Sequence, residues 1–224
     1  MKINADFEDR VFQHAATMPW SSSPMPGVSR RMLDRIGDEV ARATSLVRYA
    51  PGSRFSAHVH SGGEEFLVLD GVFQDEHGDY PVGTYVRNPI NTKHTPASEQ
   101  GCEIFVKLWQ FNENESDILR IDTNALQLAT SPDNQKVSSA ILFEDSFEQV
   151  LIEKWEPHAE VLLQHAGGME ALVIEGEFTM SSEVFTQHSW LRLPKMDRVS
   201  AIAGSSGARV WLKKGHLSTI TIPT

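Results

Sequence analysis

The sequence has one cysteine, Cys102, in 224 residues. A single cysteine excludes an internal disulfide and every zinc site that needs two or more thiolates, so a bound metal has to be held by histidine and carboxylate. The chain also lacks an apolar run near the ~18–20 residues that a membrane span requires. Its N-terminus has no basic segment followed by an apolar core, and we therefore expect a soluble cytoplasmic protein without membrane contact.

Basic residues are fewer than acidic residues. Twenty lysines and arginines stand against thirty aspartates and glutamates, which gives a formal net charge of -10. This negative excess disfavours binding to nucleic acid or to an anionic membrane. We therefore expect the partner to be a small-molecule ligand or another protein.

Sustained helical periodicity is also nearly absent. Short apolar or alternating runs are separated by turn signals every ~8–12 residues, a pattern typical of an all-β sandwich or barrel. The predicted strands include Val28–Ile36, Ala43–Tyr49, Phe66–Leu69, Gly83–Arg87 and Cys102–Phe111. A Pro/Ser/Gly-rich stretch at 19–27 precedes them and is predicted to be an ordered arm, because Trp20 and Met25 are costly to leave in water.

The second half of the chain repeats the first at a constant spacing. Gly71 and Gly176 are 105 residues apart, and so are Pro89 and Pro194. The same offset relates His60 to His165, Gly62 to Gly167, Gly63 to Gly168, Glu65 to Glu170, Leu67 to Leu172, Val68 to Val173 and Arg87 to Arg192. A register this regular predicts a duplicated β domain. Polar breaks at 112–116 and 131–136 bracket the junction, and we assign 1–115 to the first domain and 116–224 to the second.

The chemistry-bearing stretch of the first copy runs from residue 52 to residue 71. His58 and His60 project from the same face of a strand, because strand side chains alternate with period two, and both imidazoles can therefore reach one ion. A Gly-Gly corner then brings an acidic residue, Glu64 or Glu65, back toward them. A lone His-x-His pair is more often a hydrated feature of an exposed strand, so a further ligand has to decide between the two interpretations.

The spacing of the surrounding residues resembles the two-part cupin signature. The first part is Gly52-x5-His58-x-His60-x3-Glu64-x6-Gly71, and the second part, after 11 intervening residues, is Gly83-x5-Pro89-x4-His94. Asn91 and Ser98 replace a glycine and an asparagine of the signature, and neither position is a ligand. The resemblance implies an all-β jelly-roll barrel, here duplicated as a bicupin, with a metal held inside by three histidines and one glutamate.

Carried over residue by residue, the resemblance makes the metal ligands His58, His60, Glu64 and His94. Glu65 competes for the carboxylate role. The six residues that the signature places before Gly71 select Glu64, and we expect Glu65 to point to the opposite face of the strand.

The second copy has lost most of these positions. Its equivalents are Leu163, His165, Met169 and Val199. A single imidazole cannot hold a divalent ion tightly. We therefore expect a metal-free second domain with an interior filled by the apolar side chains.

Among cupins, the run from His58 to Phe73 resembles the ChrR-like group, which takes its name from a zinc anti-sigma factor. The resemblance implies one zinc ion in the first domain, with iron, manganese or nickel as alternatives. It also implies a ligand-binding or stress-sensing regulatory protein. A sigma factor as partner requires an N-terminal helical domain, and the stretch before residue 40 leaves no room for one.

The same group of cupins includes small metal dioxygenases that cleave β-diketones or hydroxyacetophenones. The alternative function is therefore a metal-dependent dioxygenase acting on a small diketone or phenolic ketone. No catalytic residue beyond the metal ligands can be named from the sequence. Because cupins commonly pair, we also expect a homodimer.

Two other groups of residues are candidates for the site. Arg30, Arg31 and Arg35 could form an anion site, but the acidic residues among and after them favour a solvated strand face. The aromatic residues Phe55, Phe66, Tyr85 and Trp109 are candidates for lining the metal cavity, and most of them are expected to be ordinary core.

Overall fold

A computed structural model describes residues 1–223, and it consists almost entirely of short antiparallel strands. The strands of the first half are β1 (Lys2–Ile3), β2 (Val11–His14), β3 (Ser21–Ser22), β4 (Val28–Gly37), β5 (Ala41–Tyr49), β6 (Ser53–Arg54), β7 (His58–Val59), β8 (Glu64–Asp75), β9 (Gly78–Pro81), β10 (Thr84–Asn88), β11 (Lys93–His94), β12 (Ala97–Ser98), β13 (Cys102–Leu108) and β14 (Leu119–Asp122). Those of the second half are β15 (Ala129–Thr130), β16 (Val137–Glu144), β17 (Gln149–Trp155), β18 (Glu160–Gln164), β19 (Met169–Met180), β20 (Glu183–Phe185), β21 (Ser189–Leu193) and β22 (Arg198–Lys214). Two short 3-10 turns, Ala15–Thr17 and His216–Ser218, complete the structure.

The chain divides into two compact units. The first contains Met1–Ala5, Pro19–Ala125 and a C-terminal piece from Thr221, and the second contains Asp6–Met18 and Leu126–Ile220. The boundary expected at residue 115 differs from this division, because the first unit extends to Ala125 and Asp6–Met18 is part of the second unit. The segment Asp6–Met18 belongs to the second unit because its strand β2 pairs with β21.

In the first unit, one sheet runs in the order β1-β4-β5-β13-β8-β10-β14. Strand β8 leaves this sheet at Gly71, and its second half pairs with β9 and β12 instead. Gly71 has φ +68°, and a Cβ there would overlap the carbonyl oxygen of Gly101. Only glycine fits such a close approach with a left-handed backbone. Gly71 therefore allows the single strand β8 to pair with strands on both sides of the barrel.

The two units share one topology. Strands β8 and β19 each span twelve residues and begin 105 residues apart, at 64 and 169. In the first unit β7 and β11 pair His58 with His94, and in the second β18 and β22 pair Leu163 with Val199 at the same offset. The prediction of a duplicated all-β, jelly-roll fold is confirmed.

Each of the five strands predicted from the hydrophobic pattern overlaps an observed strand, namely β4, β5, β8, β10 and β13. The strand predicted at 102–111 ends at Leu108, because Trp109 has a left-handed φ of +59°. Strand β14 was not predicted, since it lies in a polar stretch, yet it pairs with β10 at the edge of the first sheet. Within residues 1–223, no helix has the length and apolar character needed to cross a bilayer.

The cores of the two units differ at the positions equivalent to the predicted metal ligands. In the second unit Leu163 and Met169 are buried in the main apolar cluster, and Val199 packs against it. The expectation that these side chains fill the interior is confirmed. In the first unit the corresponding space holds polar side chains.

Candidate metal centre

The structure brings His58, His60, Glu64 and His94 together inside the first unit. One potential ligand atom from each lies within 4.8 Å of the others. The cross-strand pair of β7 and β11 sets His58 opposite His94, and Glu64 enters as the first residue of β8. His60, Glu64 and His94 are buried, whereas His58 is exposed. One side of the cluster is therefore accessible from solvent.

The protonation of His60 is determined by its neighbour Thr92. The Thr92 hydroxyl donates its proton to the carbonyl oxygen of Pro89 at 2.6 Å, so its oxygen must accept from His60 Nδ1, which lies 3.0 Å away. With the proton on Nδ1, the Nε2 atom carries a free lone pair. This is the form in which imidazole binds a metal.

The other two histidines have the same arrangement. His94 Nδ1 lies 3.2 Å from Asp75 Oδ2, and His58 Nδ1 lies 3.4 Å from the carbonyl oxygen of Ser56. Both partner oxygens accept a hydrogen bond from Nδ1–H, so the proton stays on Nδ1 and the corresponding Nε2 is free. Such outer contacts usually orient metal-binding histidines.

Asp75 is itself held in place. Its Oδ1 accepts hydrogen bonds from the Tyr80 hydroxyl at 2.9 Å and from the backbone N–H of His77 at 2.8 Å. Burial alone raises the pKa of Asp75, but the hydrogen bonds from His94, His77 and Tyr80 outweigh it and lower the pKa below its usual value. Asp75 is therefore an ionised carboxylate facing His94.

Two ring nitrogens of the cluster are buried without a hydrogen-bond partner in the described chain. They are Nε2 of His60 and Nε2 of His94. Both face Glu64 Oε2, at 3.3 Å and 3.5 Å respectively. Burial, more than any nearby charge, lowers the pKa of His60 and favours the neutral ring. Free imidazole lone pairs next to a carboxylate are a donor set that divalent transition metals accept, so these residues fit a metal ion.

Glu64 and Glu65 point to opposite sides of β8. Glu64 Oε2 accepts a hydrogen bond from Asn88 Nδ2 at 3.3 Å, whereas Glu65 Oε2 accepts from the Tyr85 hydroxyl at 2.6 Å and from Arg87 at 2.8 Å. Glu65 is 1% exposed. It neutralises a buried arginine and lies outside the histidine cluster.

Arg120, on the unpredicted strand β14, connects both sides of the cluster. Its Nη2 donates to Asn88 Oδ1 at 2.6 Å, and its Nε donates to the Tyr80 hydroxyl at 3.2 Å. Asn88 then contacts Glu64, and Tyr80 contacts Asp75, which contacts His94. One guanidinium therefore positions a carboxylate and an imidazole of the cluster through two separate chains of hydrogen bonds.

The cluster borders a cavity of about 380 Å³. Apolar side chains such as Val47, Ile104 and Val106 line much of it, together with His58, His60 and Glu64. Of the four aromatic residues considered for the lining, Phe55 and Trp109 border the cavity, and Phe66 and Tyr85 are buried in the core. The exposed apolar side chains of Met25, Val40 and Val59 are at its rim.

Sequence reasoning missed the residues that hold the ligands in place. They are Asp75, Asn88, Thr92 and Arg120, and none belongs to a spacing pattern around the histidines. Thr92 lies two residues before His94, and this proximity was the one available signal. The others come from strands that approach the cluster only in the folded chain.

The double-sheet antiparallel fold and the three-histidine, one-glutamate cluster together define a cupin. Residues 8–112 match the ChrR Cupin-like domain family, and this part of the chain is a ChrR-like cupin domain. No protein of curated function matches its sequence.

Solved structures resemble the whole chain at low sequence identity. A proposed dioxygenase from Nostoc punctiforme is 16% identical with a TM-score of 0.74, covering 97% of this chain and 87% of that one. A pirin from Escherichia coli in complex with nickel(II) is 14% identical with a TM-score of 0.64, covering 92% and 99%. A cupin 2 conserved barrel domain protein from Leptotrichia buccalis is 9% identical with a TM-score of 0.61, covering 95% and 99%. These likenesses establish the fold.

Proposed function

We propose that this protein is a metal-dependent dioxygenase whose first unit acts on a small diketone or phenolic ketone. The observation that carries the proposal is the position of the histidine cluster at the wall of the 380 Å³ cavity, which three of its four members, His58, His60 and Glu64, line. A structural metal is enclosed by its ligands, whereas a catalytic metal keeps a position open toward the substrate. The cavity also falls in the size range of small-molecule sites, roughly 300–1,000 Å³.

The chain's own residues prepare the site for this chemistry. Ser56, Thr92 and Asp75 hold the three imidazoles with Nε2 directed inward. Iron, manganese or nickel bound there would supply the redox chemistry that a reaction with O2 requires. The apolar wall next to the cluster excludes water from the ketone, which strengthens electrostatic interactions at the reacting atoms.

A second candidate is regulatory ligand binding without turnover, with zinc as the metal. The match of residues 8–112 to the ChrR Cupin-like domain family favours it. Zinc has no redox chemistry, so the ligand would bind and leave unchanged.

Metal content tests the site first. We expect protein purified without added metal to hold about one divalent ion per chain, because such an ion is bound by closely spaced imidazole and carboxylate ligands and, in the part of the chain that the structure describes, only the first unit has the four-residue cluster. The ion should be lost in His58→Ala and kept in the matched variant His165→Ala. Among the four positions of the second unit that are equivalent to the ligands, His165 is the one that is still a histidine. Two metals per chain, or none in any preparation, would contradict the one-site assignment.

Oxygen uptake then separates the two candidates. Protein loaded anaerobically with Fe(II) should consume O2 when pentane-2,4-dione or a hydroxyacetophenone is added, and His58→Ala should not. If the loaded protein binds these ketones without consuming O2, the dioxygenase proposal fails and ligand binding remains. Parallel loading with Mn(II), Ni(II) and Zn(II) identifies the metal that supports each behaviour.

A further inference from the structure

Arg30 faces the interior of the first unit. Strand β4 pairs Arg30 with Val47 of β5, and both residues line the cavity that borders the metal cluster. Arg35 lines the same cavity and is 6% exposed, so the expected solvated strand face is wrong for this residue. Arg31 differs from them, since its guanidinium lies over the ring of Trp20 at 4.2 Å.

The two cavity arginines differ in their contacts. Arg35 donates to the backbone carbonyl oxygens of Gly37 and Asp38, which fixes its guanidinium. Within residues 1–223, the Arg30 side chain takes part in no hydrogen bond and no ion pair. Glu39 also lines the cavity, but it is exposed and forms no ion pair with Arg30. All the guanidinium N–H donors of Arg30 are therefore available to a ligand that enters the cavity.

The positive charge at the cavity favours an anionic ligand. Three neutral imidazoles and one carboxylate around a divalent ion leave a net positive charge, and Arg30 adds another beside a largely apolar wall. Arg35 lines the same cavity and carries a further positive charge, and its pKa is lowered first by burial and then by the charge of Arg30. Cations in such surroundings bind carboxylates well, because arginine donates two parallel hydrogen bonds to the two oxygens.

We propose that Arg30 is the carboxylate-binding end of a ligand subsite, so that the natural ligand is a small organic acid with a ketone or enol oxygen at the metal. The proposal rests on the proposed function, and it narrows the ligand from any small ketone to a ketone that carries a carboxylate. In the sheet register Arg30 of β4 is aligned with Val68 of β8, three strand spacings away and four residues along the strand from Glu64, which is roughly 19 Å between the Arg30 and Glu64 backbones in a flat sheet. A ligand in the cavity can reach both groups, with its apolar body against Val47 and Ile104.

The experiment compares an acid with its own neutral ester. The probes are 4-phenyl-2,4-dioxobutanoate and its methyl ester, which share the diketone and the phenyl ring and differ in the carboxylate charge. Each is titrated calorimetrically into Zn(II)-loaded protein, in which turnover does not interfere, and metal content is measured on the same samples. The variants are Arg30→Gln, Arg30→Lys and the control Arg54→Gln, whose arginine is exposed and pairs with Glu99.

We expect the wild-type protein to bind the acid about tenfold more tightly than the ester, as a charge-assisted hydrogen bond predicts. Arg30→Gln should bring the two affinities together without changing metal content or ester binding. Arg30→Lys should retain part of the preference, and Arg54→Gln all of it. Equal binding of acid and ester by the wild type, or an unchanged preference in Arg30→Gln, would overturn the subsite.

The outcomes separate this proposal from the proposed function. Protein that holds a metal but shows no preference for the acid refutes the subsite alone. Protein that takes up no metal refutes the metal-dependent function, and the acid and ester are then compared on the metal-free chain, where a persistent preference lost in Arg30→Gln still supports Arg30. Equal binding of acid and ester by the wild type overturns the subsite without any variant, and if Arg30→Gln fails to fold, the partial loss of the preference in Arg30→Lys is the test of Arg30.

Discussion

Arg120 and Asn88 are joined by a hydrogen bond of 2.6 Å from the guanidinium Nη2 to the amide Oδ1. Because Oδ1 accepts this bond, the amide nitrogen of Asn88 is the atom that faces Glu64. The orientation of the Glu64 carboxylate, a candidate metal ligand, is thereby determined by a residue on another strand, β14. Outer contacts of this kind tune metal affinity without touching the ion.

Replacing Arg120 should therefore weaken metal binding. Arg120→Met removes both chains of hydrogen bonds, to Glu64 through Asn88 and to His94 through Tyr80 and Asp75. We expect a loss of about 10–100-fold in metal affinity, the range found when outer-shell partners are removed. Competition with a chelator of known affinity measures it.

Arg209→Met in the second unit is the matched control. Arg209 also pairs with a glutamate, Glu175 at 3.4 Å, far along the chain from the cluster. This variant should keep the wild-type metal affinity. Equal affinities in both variants and the wild type would show that Arg120 does not position the ligands.

The buried ion pair of Glu65 and Arg87 is predicted to matter for stability. Glu65→Gln leaves the Arg87 guanidinium, which is 0% exposed, with Glu115 as its remaining acidic partner. Breaking a buried pair costs about 3–5 kcal/mol, and because Glu115 remains we expect the lower end, about 3 kcal/mol. Urea unfolding monitored by tryptophan fluorescence gives the value.

A pair with one exposed side chain gives the comparison. Glu103 binds Arg48, whose side chain is 47% exposed. Glu103→Gln should cost less than about 1 kcal/mol, as is usual for surface pairs. If the two glutamate variants lose the same stability, burial of the Glu65 pair is not what makes it important.

Two glycines allow the stability cost of a left-handed backbone to be measured separately from the cost of a steric overlap. Gly52 and Gly71 both have positive φ, +76° and +68°, but a Cβ at Gly52 would meet nothing within 4 Å, whereas one at Gly71 would overlap the Gly101 carbonyl. Gly52→Ala should cost about 1–2 kcal/mol for the left-handed backbone alone. Gly71→Ala should cost about 1–3 kcal/mol more, because the strand has to move. Denaturant midpoints of the two variants test this, and equal losses would show that the overlap is relieved freely.

Cys102 is predicted to be unreactive in the folded protein. It is 3% exposed, and burial raises the pKa of its thiol to about 11. At pH 8 the thiol is therefore protonated, whereas an ordinary cysteine, with a pKa of ~8.5, is partly thiolate. Ellman's reagent should label it slowly in buffer and rapidly in urea, and rapid labelling of the native protein would contradict the prediction.

The same shift has a consequence for stability at alkaline pH. The folded state favours the neutral thiol, so its contribution is fully present below the unfolded pKa of ~8.5. It decreases as the pH rises through about 11. Unfolding measured between pH 8 and pH 11 should show a loss in the wild type that is smaller in Cys102→Ala.

The sequence predicted the fold and the cluster because both depend on local spacing. Strand alternation places His58 and His60 together, and a fixed interval to Gly71 distinguishes Glu64 from Glu65. The residues that orient the cluster lack such a signal. Arg120 lies in a polar stretch whose strand is stabilised by pairing with β10, and a tertiary pairing of this kind leaves no periodic pattern in the chain.

Arg30 shows a different limit. Three arginines among acidic residues have the composition of a hydrated surface, and only the strand register shows that Arg30 and Arg31 point to opposite sides of β4. The pattern was correct for Arg31, which is partly exposed. Side-chain direction within a charged strand could not be read from charge alone.

The placement of β2 has a consequence for the order in which the second unit can assemble. Val11 of β2 pairs with Arg192 of β21, and all of Pro19–Ala125, which belongs to the first unit, lies between them in sequence. During synthesis, Asp6–Met18 therefore emerges long before the strand with which it pairs. Closing so long a loop is slow. Strand β2 can take its place in the sheet only after β21 (Ser189–Leu193) has been synthesised, and a chain truncated before residue 189 would leave Asp6–Met18 without its partner strand.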